Sequence, residues 1–287
     1  MNYKIFTDIG CDIPADLLKE WDIPCVDLTF RADGVDTVYV SADMPIGEFY
    51  RQMREGSVFK TAAANMADFE AAFEPVLAAG QDILYIGFSS GLSNTVNAGR
   101  MAAAELLERY PDRKVITIDT LCASGGEGFL VYLAMKLRLN NASLEETAAH
   151  IEKLIPSVCH WFTVDDLMYL KRGGRVSPAT ALVGNVLGIK PVLHMDDEGH
   201  LVKKSAVRGR KQSIAALADK YSELATGEEE GSYMISHGDC LSDAKRLETL
   251  LEERTGKKAE LIMDVGPVIG SHSGPGTLAL FFIGKNR

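Results

Sequence analysis

Strand and helix signals alternate along the first half of the chain, and nothing else in the sequence restricts its fold so strongly. Apolar runs at residues 3–7, 83–88 and 115–118 lack strict polar alternation, as strands buried on both faces do. Helical patterns lie between them at 69–77 and 101–107, where apolar residues recur every three or four positions. Asp12, followed by Ile13, Pro14 and Ala15, opens an early helix as its capping residue, and a proline is tolerated in a first turn. Residues 26–30 and 37–40 flank Arg31-Ala32-Asp33-Gly34 and predict a hairpin. The alternation as a whole predicts a parallel sheet with helices on both faces, a three-layer α/β/α unit. Its ligand should sit at the carboxyl ends of the strands.

The second half reads differently. Strands at 159–164, 191–195 and 201–206 follow closely, the last two joined by a turn at Asp196-Asp197-Glu198-Gly199. Helices at 211–224 and 241–254 surround a strand at 232–236, and strands at 259–265 and 277–283 finish the chain. This predicts a mixed or antiparallel sheet with helices on one face, a two-layer α/β unit. A chain of 287 residues exceeds the usual single domain. We place the boundary at residue 155, with a parallel-sheet domain over 1–155 and a mixed-sheet domain over 156–287.

Charge separates the halves as well. Residues 1–150 carry 12 basic and 22 acidic side chains, whereas the remainder carries 18 of each, for a net charge of −10. Nucleic-acid binding wants a basic field, so that class is set aside. Residues 265–284 contain no Lys, Arg, Asp or Glu, but five Gly, two Pro and His272 would break a membrane helix. We expect a loop followed by a buried strand. The start lacks the apolar run of a signal peptide. Cysteines at 11, 25, 122, 159 and 240 are too scattered in sequence for a zinc or redox pair. The expectation is a cytoplasmic protein with reduced thiols and no metal.

Four segments could carry chemistry. Gly87-Phe88-Ser89-Ser90-Gly91 matches the G-x-S-x-G elbow between a strand and a helix, which would make Ser89 a nucleophile with His237 or His272 as base. No HG-type oxyanion segment accompanies it. The overlapping run from Ser89 to Thr95 instead suits an anion, because a helix start offers unsatisfied N–H donors. Ser93 is placed to donate, unless Ser90 or Ser93 merely caps the helix. Lys60-Thr61-Ala62-Ala63-Ala64-Asn65 lies between predicted helices and offers one hydroxyl, Thr61, in what is otherwise an exposed turn. Residues 266–276 are rich in glycine, which permits close backbone approach, and they present His272 between Ser271 and Ser273. Finally, residues 171–211 hold nine basic and three acidic side chains, including Lys171-Arg172-Gly173-Gly174-Arg175. That stretch is a phosphate site, a dock for an acidic partner, or a solvated basic face.

The ordered motifs resemble the DegV family nearly end to end. They include Thr7-Asp-Ile-Gly-Cys-Asp-Ile-Pro, Leu92-Ser-Asn-Thr, Asp119-Thr-Leu-Cys-Ala-Ser-Gly-Gly-Glu-Gly and Leu167-Met-Tyr-Leu-Lys-Arg-Gly-Gly-Arg. Ile189-Lys-Pro, Val207-Arg-Gly-Arg-Lys, His237-Gly-Asp and the 266–276 segment complete the set. The resemblance implies a two-domain carrier, without catalysis of its own, holding one long-chain fatty acid of the C14–C18 class in an apolar tunnel between domains. It implies Thr61, Ser93, Asn94 and His272 as contacts to the carboxylate. It implies Arg172 as part of a surface facing a fatty-acid kinase, and transient contact with a membrane surface at most. The alternative remains a serine esterase or acyl-hydrolase using Ser89. This chain departs from the family where Thr-Ser-Gln-Pro-Ser is often found, having Thr61-Ala62-Ala63-Ala64-Asn65, and at Ile9, where Thr-Asp-Ser is usual. Both changes should reshape the pocket.

The residue types suit that role. About fifteen methylenes at ~0.8 kcal/mol each contribute up to ~12 kcal/mol before ordering costs. A buried carboxylate offsets this unless it is hydrogen-bonded, at ~1.5–3 kcal/mol per charge-assisted bond.

Overall fold

The run Tyr-Lys-Ile-Phe-Thr-Asp extends as β1 (Tyr3–Asp8), sending Ile5 to one face and Phe6 to the other. Only a strand covered on both faces can hold such a sequence. The computed structural model describes residues 3–177, 188–226 and 232–287. After β1 come α1 (Ala15–Glu20), β2 (Cys25–Val26), β3 (Thr29–Ala32), α2 (Ile46–Arg54), β4 (Phe59–Ala62), α3 (Met66–Ala78) and β5 (Asp82–Gly87). Then follow α4 (Thr95–Arg109), β6 (Val115–Asp119), α5 (Gly125–Leu139) and α6 (Leu144–Leu154). Strands β2-β1-β5-β6 form one parallel sheet. Phe69 and Phe73 of α3 pack with Ala102 and Leu106 of α4 on the Phe6 face. Phe129 and Leu130 of α5 and Ile151 of α6 pack on the Ile5 face. The N-terminal unit is thus a three-layer α/β/α arrangement.

The chain then passes to a second sheet through β7 (Val158–Thr163), α7 (Met168–Arg172), β8 (Ile189–Met195), β9 (Leu201–Arg208) and α8 (Arg210–Leu224). It ends with β10 (Tyr233–His237), α9 (Leu241–Thr255), β11 (Leu261–Asp264), α10 (Pro267–Ser273) and β12 (Leu278–Ile283). The strand order is β11-β10-β12-β7-β8-β9, parallel only between β10 and β11. Helices α8 and α9 cover one face through Leu217, Tyr221, Leu247 and Leu251. The other face packs on α5, so a single core runs from Ile5 through Phe129 to Phe281. Helix α5 therefore lies between the two sheets and belongs to both. It comes this close because three of its first four residues are Gly125, Gly126 and Gly128: a Cβ on Gly126 would stand 1.9 Å from His160 Nε2.

Five expectations change. Residues 26–40 do not form a hairpin, since β3 pairs with β4 and Tyr39 makes only an isolated bridge to Phe30. The aromatic cluster of Phe30, Phe49 and Phe59 draws the more distant strand in. Thr61 consequently sits in β4 rather than in a turn, while Asn65 caps α3 through a reciprocal pair with Asp68. Residues 266–276 contain a helix, α10, because Pro267 stands at its first position and needs no N–H partner there. Gly274, at φ 81°, ends it. Asp12 does not cap α1, and Pro14 precedes that helix without a side-chain cap. Cys11 and Cys25, distant in sequence, lie side by side, and their thiol hydrogen bond together with burial pushes the Cys25 thiol well up.

Candidate functional site

A cavity of about 320 Å³ opens where the two sheets and α10 meet. It falls at the small end of ligand pockets. Its wall takes Thr61 from β4, Ser93 and Asn94 from the β5–α4 connection, and His272 and Ser273 from α10. Leu170, Phe162, Met195 and Phe281 make much of the rest. All four residues expected to hold a carboxylate are brought into this one wall. Arg172 is not: it is exposed, with its guanidinium 5.3 Å from the Tyr169 ring centre. The residue of that basic segment that does reach the cavity is Arg175, among the described residues the one charged side chain in its wall.

Thr61 Oγ1 and His272 Nε2 share a hydrogen bond of 2.8 Å. Burial, reinforced by the nearby Arg175 guanidinium, pushes the His272 imidazole down to about 4, so the ring is neutral near pH 7. Its Nδ1 makes no hydrogen bond and faces Gly173. Ser93 Oγ pairs with Thr95 Oγ1 at 2.8 Å and accepts from Thr95 N, so it bonds the first residue of α4 while lining the cavity. Asn94 is the residue preceding α4, and its Oδ1 accepts from Asn97 Nδ2. The N-terminus of this fifteen-residue helix therefore reaches the cavity, where the partial positive charge of a helix start favours an anion. Of the three alanines that replace the family pattern, only Ala63 lines the cavity. Ile9 does not, packing instead against the α3–α4 side of the first sheet.

The serine of the G-x-S-x-G segment has another use. Ser89 is fully buried, and its Oγ donates to the Gly199 carbonyl at 2.9 Å while accepting from Gly91 N. Of its two candidate bases, His272 bonds Thr61, and His237 faces Asp264 at 3.4 Å across β10 and β11. The strand-to-helix turn has the hydrolase spacing without the hydrolase contacts.

Sequence reasoning missed a polar layer beneath the cavity. Asp12 accepts from Ser124 Oγ and, at 2.9 Å, from Gly266 N at the start of α10. Ser124 Oγ also pairs with Ser236 Oγ of β10 at 2.9 Å. Burial pushes Asp12 up to about 7 against these bonds. Both Asp12 (φ 56°) and Ser124 (φ 53°) hold left-handed backbone, which costs an ordinary residue energy and persists only where the surroundings demand it. Glu127 on α5 is buried as well, accepting from Thr7 Oγ1, and burial pushes it well above the usual carboxylate range. The Cys-Asp-Ile-Pro context gave Asp12 a ready explanation as a cap, which hid its role. Among the described residues, no group of three or more His, Cys, Asp or Glu is placed to hold a metal ion. Nor is any of their helices long and apolar enough to cross a membrane.

Comparison with known proteins agrees with these motifs. A DegV domain-containing protein of Clostridium perfringens is 38% identical over 99% of this chain and 98% of its own length. A DegV lipid-binding protein of Thermotoga maritima superposes with a TM-score of 0.84 at 30% identity, covering all of both chains. A fatty-acid-binding DegV family protein of Thermus thermophilus gives a TM-score of 0.86 at 28% identity, over 99% of this chain and 100% of that one. The model of the DegV family matches residues 2–285, nearly the whole length, and the chain belongs to that family.

Proposed function

We propose that this protein is a carrier that binds one long-chain fatty acid, of the C14–C18 class, in the cavity between its two units (1–155 and 156–287). The carboxylate is held by Thr61, Ser93, Asn94 and His272, and the acyl chain lies along Leu170, Phe162, Met195 and Phe281. The observation that carries this reading is the Thr61–His272 hydrogen bond in the wall of a largely apolar cavity that Ser93 also lines. A neutral imidazole and hydroxyls can bind a carboxylate without activating it for chemistry, so the site retains its ligand rather than transforming it. The fatty-acid binding of the Thermus relative supports the same ligand class. The carrier presents the carboxylate to a fatty-acid kinase, with exposed Arg172 on the docking face.

Mass spectrometry of the purified protein tests the reading. Denaturation should release one non-covalent C14–C18 acid per chain. Protein that retains no lipid and does not take up stearic acid would refute it. Labelling of Ser89 by a fluorophosphonate would favour the hydrolase instead.

A further inference from the structure

Ser89 does not itself line the cavity, yet Ser93, which does, hangs from it. The Ser89 carbonyl accepts from Leu92 N and Ser93 N, each at 3.1 Å, so the place of Ser89 sets that of Ser93. Its hydroxyl accepts from Gly91 N at 3.2 Å and donates at 2.9 Å to the carbonyl of Gly199, in the turn between β8 and β9 of the second unit. Gly199 stands at φ 77°, and a Cβ there would lie 2.2 Å from Ser89 Oγ, so only a glycine lets the two chains meet. The same turn is held from its other end, where the Arg287 guanidinium donates to the carbonyls of Asp196, at 3.1 Å, and Leu121, at 2.8 Å. Met195 and Leu201 flank the turn and line the cavity, as Leu92 and Ser93 do from the first unit.

We propose that the G-x-S-x-G segment is a seam between the two units, and that Ser89 is a positioning residue that holds Ser93 in place for the fatty-acid carboxylate. The proposal rests on the carboxylate reading above and deepens it. A hydrogen bond to a carboxylate weakens steeply with misplaced distance and angle, so a donor serves only where its backbone is fixed. Ser93 lies in the connection between β5 and α4, outside any regular element. The fully buried Ser89 hydroxyl ties that connection to a turn of the opposite sheet. Without it, Gly91 N and the Gly199 carbonyl lose the partner they share, and the cost of leaving both unpaired drives the two chains apart.

Affinity for stearic acid in the unmodified protein, S89A, S93A and the double variant tests this, with melting curves to show that each is folded. S89A should weaken binding by about 5- to 30-fold, part of what removing the Ser93 donor costs. In the S93A background the same change should add less than about twofold, because no donor is left there to misplace. G91A should behave as S89A does, since its Cβ would stand 2.7 Å from the Glu198 carbonyl and push the turn away with Ser89 intact. Undiminished affinity in S89A, or equal losses in both backgrounds, would overturn the proposal. If S89A does not fold, G91A in the same two backgrounds decides by the same criteria. Failure of both to fold would make the seam a requirement of the fold and overturn the proposal as well. S93A that binds stearic acid as tightly as the unmodified protein would instead remove the carboxylate reading beneath it.

Discussion

Gly173 stands where a methyl group would lie 2.2 Å from Nδ1 of His272. Its backbone is helical, at φ −71° and ψ −10°, so an alanine there is conformationally ordinary and the conflict is purely steric. The glycine seats the imidazole that bonds Thr61. G173A should therefore weaken fatty-acid retention about as much as H272A, by ~1–3 kcal/mol. In an H272A background the same change should add nothing. Additive losses in isothermal titration of the four proteins would show that Gly173 acts elsewhere.

Thr61 and Ser93 each bring one hydroxyl to the cavity wall. T61A and S93A should each lose ~1–3 kcal/mol of affinity for stearic acid while remaining folded. S93A should also lower the melting temperature slightly, because Ser93 accepts from Thr95 N at the start of α4. Normal lipid occupancy in both variants, read by mass spectrometry, would displace the carboxylate from this position.

His272 makes stability depend on pH. Its folded pKa of about 4 lies below the ordinary 6.5, so the unfolded chain takes up a proton that the native ring refuses. The contribution is complete above pH 6.5 and falls away as pH drops toward 4. Between pH 7 and pH 5 the loss should be about 2 kcal/mol. Urea unfolding of native protein and H272N across that range should differ by that amount.

Asp12 works in the opposite sense. A folded pKa of about 7, raised from 3.8, gives stability that is complete below pH 3.8 and declines as pH rises through 7. D12N removes the ionisable group and should flatten that decline. Unfolding curves that still fall equally steeply from pH 5 to pH 8 in D12N would assign the effect to another group, of which buried Glu127 is the first to try.

Arg172 separates docking from binding. R172A should keep its lipid, while phosphorylation of that lipid by a cognate kinase falls sharply and becomes less sensitive to salt. Lipid-free R172A would move the residue into the binding site.

The regular elements were legible where local pattern and environment coincide. Continuous apolar runs placed β1, β5 and β6, because a central parallel strand needs apolar residues on both faces. The misreadings have one physical origin, which is that distant packing overrode local preference. Gly270 sits inside α10 because a Cβ there would meet Tyr50 Oη at 2.7 Å, and no local rule announces that contact. Asp12 had the neighbours of a helix cap and the partners of a buried latch. Thr61, Ser93, Asn94 and His272 came from motif resemblance and from hydroxyls at ligand-facing connections.

One consequence follows from α5 standing between the sheets. Phe129 and Leu130 face a core that reaches Ile5 on one side and Phe281 on the other. Neither sheet can shed its partner without laying that helix bare to water. Heat should accordingly melt both sheets in one event, and fragments divided at residue 155 should clump when made apart yet fold when made together.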